Sequence, residues 1–373
     1  MISLVCQTTG ARYPADQPRW CSDDGGLLDV DFSPAFNPHG LTGQPYNLWR
    51  YHDVIPLERG DSYVSLGEFL TPLVPIELGG RMILIKQEQL FPTGSYKDRG
   101  AAVLISKARE LGIRKVVQDS SGNAGVAIAA YSARAGIACE IYVPENTSSA
   151  KLGQLSWYGA KVHRIPGSRE ETAQAALEAA RTTYYASHCW NPFFLQGTKT
   201  FAYEVCEQMD WTAPDVLVLP AGNGTIVLGA AIGFGELMRM DIIDRLPRII
   251  AVQSEHCAPL ARAFLAGTDR IPEIRTGETL AEGISIARPV RGKQILEAVR
   301  KTGGTFVTVS DEEIISALKL VASEGFYVEP TAGATIAGLC KWMPMSSPDE
   351  RIVTAFTGHG LKSTEKMTAL YTP

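Results

Sequence analysis

The chain has 373 residues, 45% of them apolar, which is enough to build two or three domains' worth of core. Its 35 Lys and Arg stand against 40 Asp and Glu, a formal charge of −5 that speaks against a nucleic-acid partner. No run approaches the ~18 consecutive apolar residues of a membrane span, and the N-terminus turns polar too early for a signal peptide. The expectation is a soluble, cytoplasmic protein acting on a small molecule. Seven scattered cysteines (Cys6, Cys21, Cys139, Cys189, Cys206, Cys257, Cys340) make no disulfide framework, and Cys139, in an apolar run, reads as a small buried hydrophobe.

Up to about residue 50 the sequence is irregular, with Pro, Gly, Asp and aromatics in no sustained period. From residue 77 onward short β-branched runs alternate with Ala-rich helical stretches. The pattern predicts strands over 82–86, 115–119, 139–143, 161–165, 215–220, 248–253, 305–309 and 351–356. It predicts helices over 98–111, 124–135, 148–158, 169–182, 198–209, 226–240, 257–266, 291–301, 311–324 and 332–343. Gly112 and Gly136 stand where C-caps belong, and Ser310 followed by three acids reads as an N-cap. Strands alternating with helices imply parallel sheets, in two α/β lobes covering roughly 110–185 and 200–370.

Four loops sit next to strand ends or helix starts, where α/β folds place ligands. In Pro92-Thr93-Gly94-Ser95-Tyr96-Lys97-Asp98-Arg99-Gly100, Lys97 stands at the threshold of an apolar helix. An amine partly desolvated there can form a Schiff base, although a lone Lys is more often a surface residue. In Gln118-Asp119-Ser120-Ser121-Gly122-Asn123-Ala124-Gly125 a strand runs into a helix whose free N–H groups suit a carboxylate. Ser121 or Asn123 acting as a plain N-cap is the other reading. Leu219-Pro220-Ala221-Gly222-Asn223-Gly224-Thr225-Ile226 lets backbone approach an anion, yet it is neither a P-loop nor GxGxxG. Alone it is also compatible with a simple turn. In Thr354-Ala355-Phe356-Thr357-Gly358-His359-Gly360-Leu361-Lys362 a buried strand ends in a polar turn that presents Thr357.

In this order the four loops resemble the fold-type II pyridoxal-phosphate enzymes, the tryptophan synthase β family, and within it the threonine synthase branch, over roughly residues 65–365. The resemblance implies two parallel-sheet α/β lobes with pyridoxal 5′-phosphate in the cleft between them. It implies a degenerate zinc-ribbon-like extension over 1–50, a large cofactor-binding domain over 51–105 and 190–373, and a small domain over 106–189. It assigns Lys97 to the Schiff base and to proton transfer, and Asn123 to the cofactor's 3′-oxygen. Gly222, Asn223, Gly224, Thr225 and Ile226 fall to the phosphate cradle, and Thr357 to the pyridine nitrogen. A neutral Thr cannot protonate that ring as an Asp would. Ser120, Ser121, Gly122 and Ala124 fall to the substrate carboxylate, and a homodimer is implied.

Two departures qualify the resemblance. Of four zinc-ribbon cysteines only Cys6 and Cys21 remain, with Thr9 and Asp24 in the other places, so no metal is expected. In Ser187-His188-Cys189-Trp190-Asn191-Pro192-Phe193-Phe194, the residues His188, Cys189 and Phe194 stand where the branch carries an Asn, a Ser and an Arg for the substrate's phosphate. Phe for Arg removes a bidentate cation, which argues against O-phosphohomoserine. The expected activity is therefore elimination, or elimination with addition, at the β- or γ-carbon of another small amino acid. A cysteate- or cysteine-synthase-like β-replacement is the alternative. A dehydratase or racemase fits the AGNGT loop less well, and a non-catalytic binding protein is opposed by the presence of Lys97. An NAD oxidoreductase lacks its GxGxxG turn.

Overall fold

A computed structural model describes residues 2–147, 149–167 and 169–370. The chain divides into two compact units, Met1–Phe69 with Lys97–Thr200, and Leu70–Tyr96 with Phe201–Pro373. It begins in the first unit with β1 (Ser3–Cys6), β2 (Arg12–Pro14) and β3 (Leu28–Asp31), then supplies β4 (Leu73–Leu78) and β5 (Arg81–Lys86) to the second. It returns to the first unit for α1 (Lys97–Glu110), β6 (Lys115–Gln118), α2 (Asn123–Ala135), β7 (Ala138–Pro144) and α3 (Ser149–Trp157). There follow β8 (Lys161–Ile165), α4 (Arg169–Ala179), β9 (Tyr184–Tyr185) and α5 (Pro192–Thr198). From α6 (Thr200–Gln208) onward the chain builds the second unit with β10 (Val216–Pro220), α7 (Thr225–Arg239), β11 (Arg248–Ser254), α8 (Pro259–Leu265) and α9 (Gly292–Lys301). It ends with β12 (Thr305–Val309), α10 (Asp311–Ser323), α11 (Pro330–Trp342), β13 (Ile352–Ala355) and α12 (Thr364–Ala369).

The second unit holds a six-stranded sheet in the order β12-β11-β10-β13-β5-β4, parallel except for the edge strand β4. β10 lies at its centre with every residue buried, which is why Val-Leu-Val-Leu-Pro is an unbroken apolar run. The first unit holds a parallel sheet in the order β8-β7-β6-β9 and a small antiparallel sheet, β2-β1-β3. Each predicted strand is present. Gly136 caps α2 in the left-handed conformation, and Ser310 with Glu313 closes a capping box on α10.

Two expectations change. The N-terminal stretch is not irregular: β1–β3 form a sheet around Leu4, Cys6, Leu28 and Phe193, in strands too short and too polar for a visible period. α5 was not predicted as a separate helix, although Asn191 caps it by accepting from the Phe193 N–H and Pro192 stands at its first position. Within the first unit α1 packs on α5. A Cβ on Gly100 would overlap the Phe194 ring, and one on Gly197 would overlap the Arg99 carbonyl, so the two helices cannot be parted into separate bodies. Among the described residues no helix is long and apolar enough to cross a membrane.

Candidate active site

In the second unit three of the four loops meet. The Tyr96 N–H donates to the Thr357 carbonyl at 3.1 Å, its phenol lies 3.0 Å from the Thr225 hydroxyl, and Ser95 bridges Gly358. Tyr96, missed at the level of sequence, thus ties the 92–96 loop to both the start of α7 and the end of β13. Gly224 precedes α7 at φ +66°, and no side chain caps that helix. The first-turn N–H groups of a helix have no intrahelical partner, so this turn is built to receive an anion. A Cβ on Gly222 would come 2.7 Å from the Gly283 carbonyl, and one on Gly224 would overlap Ile295. Only glycine lets the backbone close here. Gln253 holds the loop from beneath, donating to the Ala221 carbonyl and accepting from the Ala261 N–H, both at 2.9 Å.

Thr357 is 1% exposed and donates its hydroxyl to Glu329 Oε1 at 3.1 Å. Glu329 stands 28 residues earlier, so nothing local in the sequence pairs the two. His359 plays a local part: its Nδ1 accepts from the Leu361 N–H. The Ser95 hydroxyl is fully buried and has no hydrogen-bond partner among the described residues. A buried polar atom without a partner in the loop before Lys97, beside an uncapped glycine cradle, fits a phosphorylated ligand.

The first unit carries the remaining candidates. Lys97 is the first residue of α1, and its Nζ lies 5.8 Å from the centre of the Phe194 ring. His188 meets the same ring edge-on, with centroids 6.0 Å apart. Phe194 is fully buried within the core cluster formed by α1, α2 and β6, so it is both a wall beside Lys97 and a piece of the core. His188 is held neutral, its imidazolium disfavoured first by burial and then by the nearby Lys97 charge. Cys189 is buried.

The 119–125 loop leads into α2. Gly122 occupies the N-cap and no side chain caps the helix, so the reading of Ser121 or Asn123 as a plain N-cap does not hold. Ser120 Oγ accepts from the Gly122 N–H at 3.2 Å, while Ala124 is buried at the helix start. Asp119, overlooked in the sequence, has its pKa raised by burial against a hydrogen bond from Tyr185, and its Oδ1 has no partner among the described residues.

The two remaining zinc-ribbon positions are occupied by polar contacts. Hydrogen bonds from Thr9 and then Ser22 draw the Cys6 thiol down to about 7, and Asp24 Oδ1 stands 4.0 Å from its sulfur and accepts from Ser22. Among the described residues no three His, Cys, Asp or Glu side chains are grouped to hold a metal ion. Cys139 behaves as a buried hydrophobe, its thiol pushed up to about 12 by burial.

A parallel sheet with a glycine anion cradle at a helix start in the second unit, and in the first a lysine that opens α1, are features found in pyridoxal-phosphate enzymes. The family of pyridoxal-phosphate dependent enzymes matches residues 64–358, and the chain belongs to it. Among curated relatives, the threonine synthase of Methanocaldococcus jannaschii is 36% identical over 96% of this chain and 92% of its own. That of Methanosarcina acetivorans is 36% identical over 97% and 92%. Among solved structures, a pyridoxal 5′-phosphate-dependent aspartate racemase superposes with a TM-score of 0.68 at 25% identity, over 78% of this chain and 90% of that one. Threonine deaminase isoform 2 of Solanum lycopersicum, 22% identical, shares the fold with a TM-score of 0.68 over 88% and 94%. The chain is a pyridoxal-phosphate-dependent enzyme of threonine-synthase-like sequence.

Proposed function

We propose that this enzyme eliminates a β- or γ-substituent from a small amino acid, with or without addition of a nucleophile, and that O-phosphohomoserine is not its preferred substrate. The observation that carries the second half is Phe194, an uncharged buried ring 5.8 Å from the Lys97 amine, where a phosphate-binding branch would need a cation. His188 adds no charge, because burial and Lys97 keep it neutral. A dianion brought to this wall gains no bidentate partner and loses hydration.

The residues fit the cofactor, which when bound supplies an electron sink conjugated to the substrate's amino group. Gly222, Asn223, Gly224, Thr225 and Ile226 would hold its phosphate through N–H groups and the Thr225 hydroxyl. Asn123 would hold its ring oxygen, and Thr357 would partner its ring nitrogen. Lys97 would be its covalent anchor and would move the proton at the substrate's α-carbon. Ser120, Ser121, Gly122 and Ala124 orient the substrate carboxylate on the open turn of α2, where neutral N–H donors meet an anion at a helix start. His188 and Phe194 close the side-chain pocket and favour a smaller or less charged leaving group.

The test is a screen of serine, threonine, homoserine and their O-acyl and O-phospho esters, following the visible absorbance of the holoenzyme. Spectral change and turnover with a non-phosphorylated member support the reading. A response confined to O-phosphohomoserine contradicts it.

A further inference from the structure

We propose that Asp119 is a specificity-determining residue that accepts a hydrogen bond from an N–H or O–H group on the substrate's side chain. The proposal rests on the reading that Ser120, Ser121, Gly122 and Ala124 orient the substrate carboxylate.

Asp119 follows the last residue of β6 and immediately precedes Ser120, so it stands at the entrance to that turn. Its backbone is fixed on one side. The Asp119 N–H donates to Gln118 Oε1 at 2.7 Å, and Gln118 Nε2 donates to the Ala186 carbonyl at 3.1 Å. Its side chain is fixed on the other. Tyr185, paired with Val117 in the neighbouring strand β9, donates its phenol hydrogen to the carboxyl and accepts from the Ser187 hydroxyl. Ser187 Oγ accepts in turn from the N–H groups of Cys189 and Trp190, at 3.3 and 3.4 Å. The chain of bonds therefore ties the acid to the segment that carries His188, the other segment read as substrate-binding. After these bonds Asp119 Oδ1 is buried and has no hydrogen-bond partner among the described residues.

A buried carboxyl oxygen that meets neither a donor nor a cation is costly, and a ligand that supplies the donor offsets that cost. The phenol of Tyr185 already gives its one hydrogen to the carboxyl, so it holds Asp119 as an acceptor. Such an acceptor sorts substrates by the sign of what they bring. Phosphate and ester oxygens offer lone pairs, and a phosphate dianion is repelled outright. An amino or hydroxyl group offers hydrogen. An ammonium gains most, because it also neutralises a buried anion. The substrate side of this chain thus combines an absent cation at Phe194 with an acid at Asp119. The favoured class is a small amino acid with a free amino or hydroxyl group at its β- or γ-carbon.

The experiment titrates the holoenzyme with L-alanine, L-serine, L-homoserine, L-2,3-diaminopropionate and L-2,4-diaminobutyrate, following the visible absorbance. It compares wild type, Asp119→Asn and Asp119→Ala, with cofactor content measured on each. Alanine carries no side-chain donor and reports the carboxylate turn alone. In wild type at least one of the other four should bind about tenfold or more tightly than alanine, the value of one hydrogen bond to a charged group. Asp119→Ala should bring that ratio to about one and leave the affinity for alanine unchanged. Asp119→Asn keeps the shape without the charge, so it should cost the diamino acids more than the hydroxy acids, and it carries the test if Asp119→Ala does not fold. A ratio near one in wild type overturns the role of Asp119 and leaves the site reading intact. So does the wild-type ratio retained in Asp119→Ala or, for the diamino acids, in Asp119→Asn. Alanine and the others weakening together in Asp119→Ala would assign the acid to the fold of the turn and also overturn it. No spectral response of wild type to any of the five overturns the site reading itself.

Discussion

The two compact units carry opposite kinds of site. In the second, the candidate contacts are made by backbone: an uncapped helix start, glycines with no room for a Cβ, and a hydroxyl pinned by Glu329. In the first, beside the open start of α2, they are made by side chains: the Lys97 amine, the Phe194 ring and the neutral His188. A backbone cradle tolerates few residue types, because a side chain would occupy the space of the ligand. A side-chain wall can be exchanged for another of similar volume and keep the fold while changing the ligand. On the proposed reading, the glycine cradle is therefore the part that follows the family's motif, and the wall of Phe194 and His188 is where this chain departs.

The largest effect that tests this contrast is at Lys97. Borohydride reduction followed by peptide mass mapping should label Lys97, and Lys97→Ala should lower turnover by at least about 10³-fold. A label on another lysine breaks the assignment.

Next is Gly224→Val, which separates backbone from side-chain sites. Its φ of +66° strains any β-branched residue, and the new Cβ overlaps Ile295, so both cofactor retention and melting temperature should fall. Pairing it with Ile295→Ala should relieve the overlap and restore part of the stability but not the cofactor affinity. Full recovery of affinity in the double variant would show that the cradle does not need close backbone approach.

A smaller change is expected at the side-chain wall. Phe194→Arg should raise turnover of O-phosphohomoserine by about 10- to 100-fold, the value of one charge-assisted contact. The same variant should melt at a lower temperature, because the ring fills core space over Gly100. Melting loss without any gain in turnover would assign Phe194 to the core alone.

The smallest effect is on acid stability. Because the folded state holds His188 below its ordinary pKa, the unfolded chain binds the extra proton first as pH falls below about 6.5, and stability drops in that window. His188→Asn should flatten the slope of stability against pH there, by at most about 1.4 kcal/mol per pH unit. An unchanged slope would mean that His188 is solvated.

Much of the fold was legible in the sequence because burial leaves a pattern. The Val-Leu-Val-Leu-Pro run of β10 is apolar throughout because both of its faces are covered, and Ser310 with its trailing acids announced α10. The glycines of 222–224 were legible for the same physical reason that they are required. What was not legible depends on partners distant in sequence. The sheet β1–β3 is stabilised in part by Phe193, more than 150 residues away along the chain. Glu329 is an ordinary Glu-Pro helix start until β13 brings Thr357 to it. Asp119 reads as a loop acid until burial raises its pKa against a hydrogen bond from Tyr185. Only the family resemblance put Phe194 at the substrate side, and its packing over Gly100 shows that it also holds α5 to α1.

The most direct test of the contrast is the ratio of kcat/KM for O-phosphohomoserine to that for the best non-phosphorylated amino acid in the same holoenzyme preparation. On the proposed reading, in which Phe194 offers the substrate's phosphate no cation, the ratio should be about 10⁻² or lower. A ratio of one or more would contradict the account and show that another cation of this chain meets the phosphate.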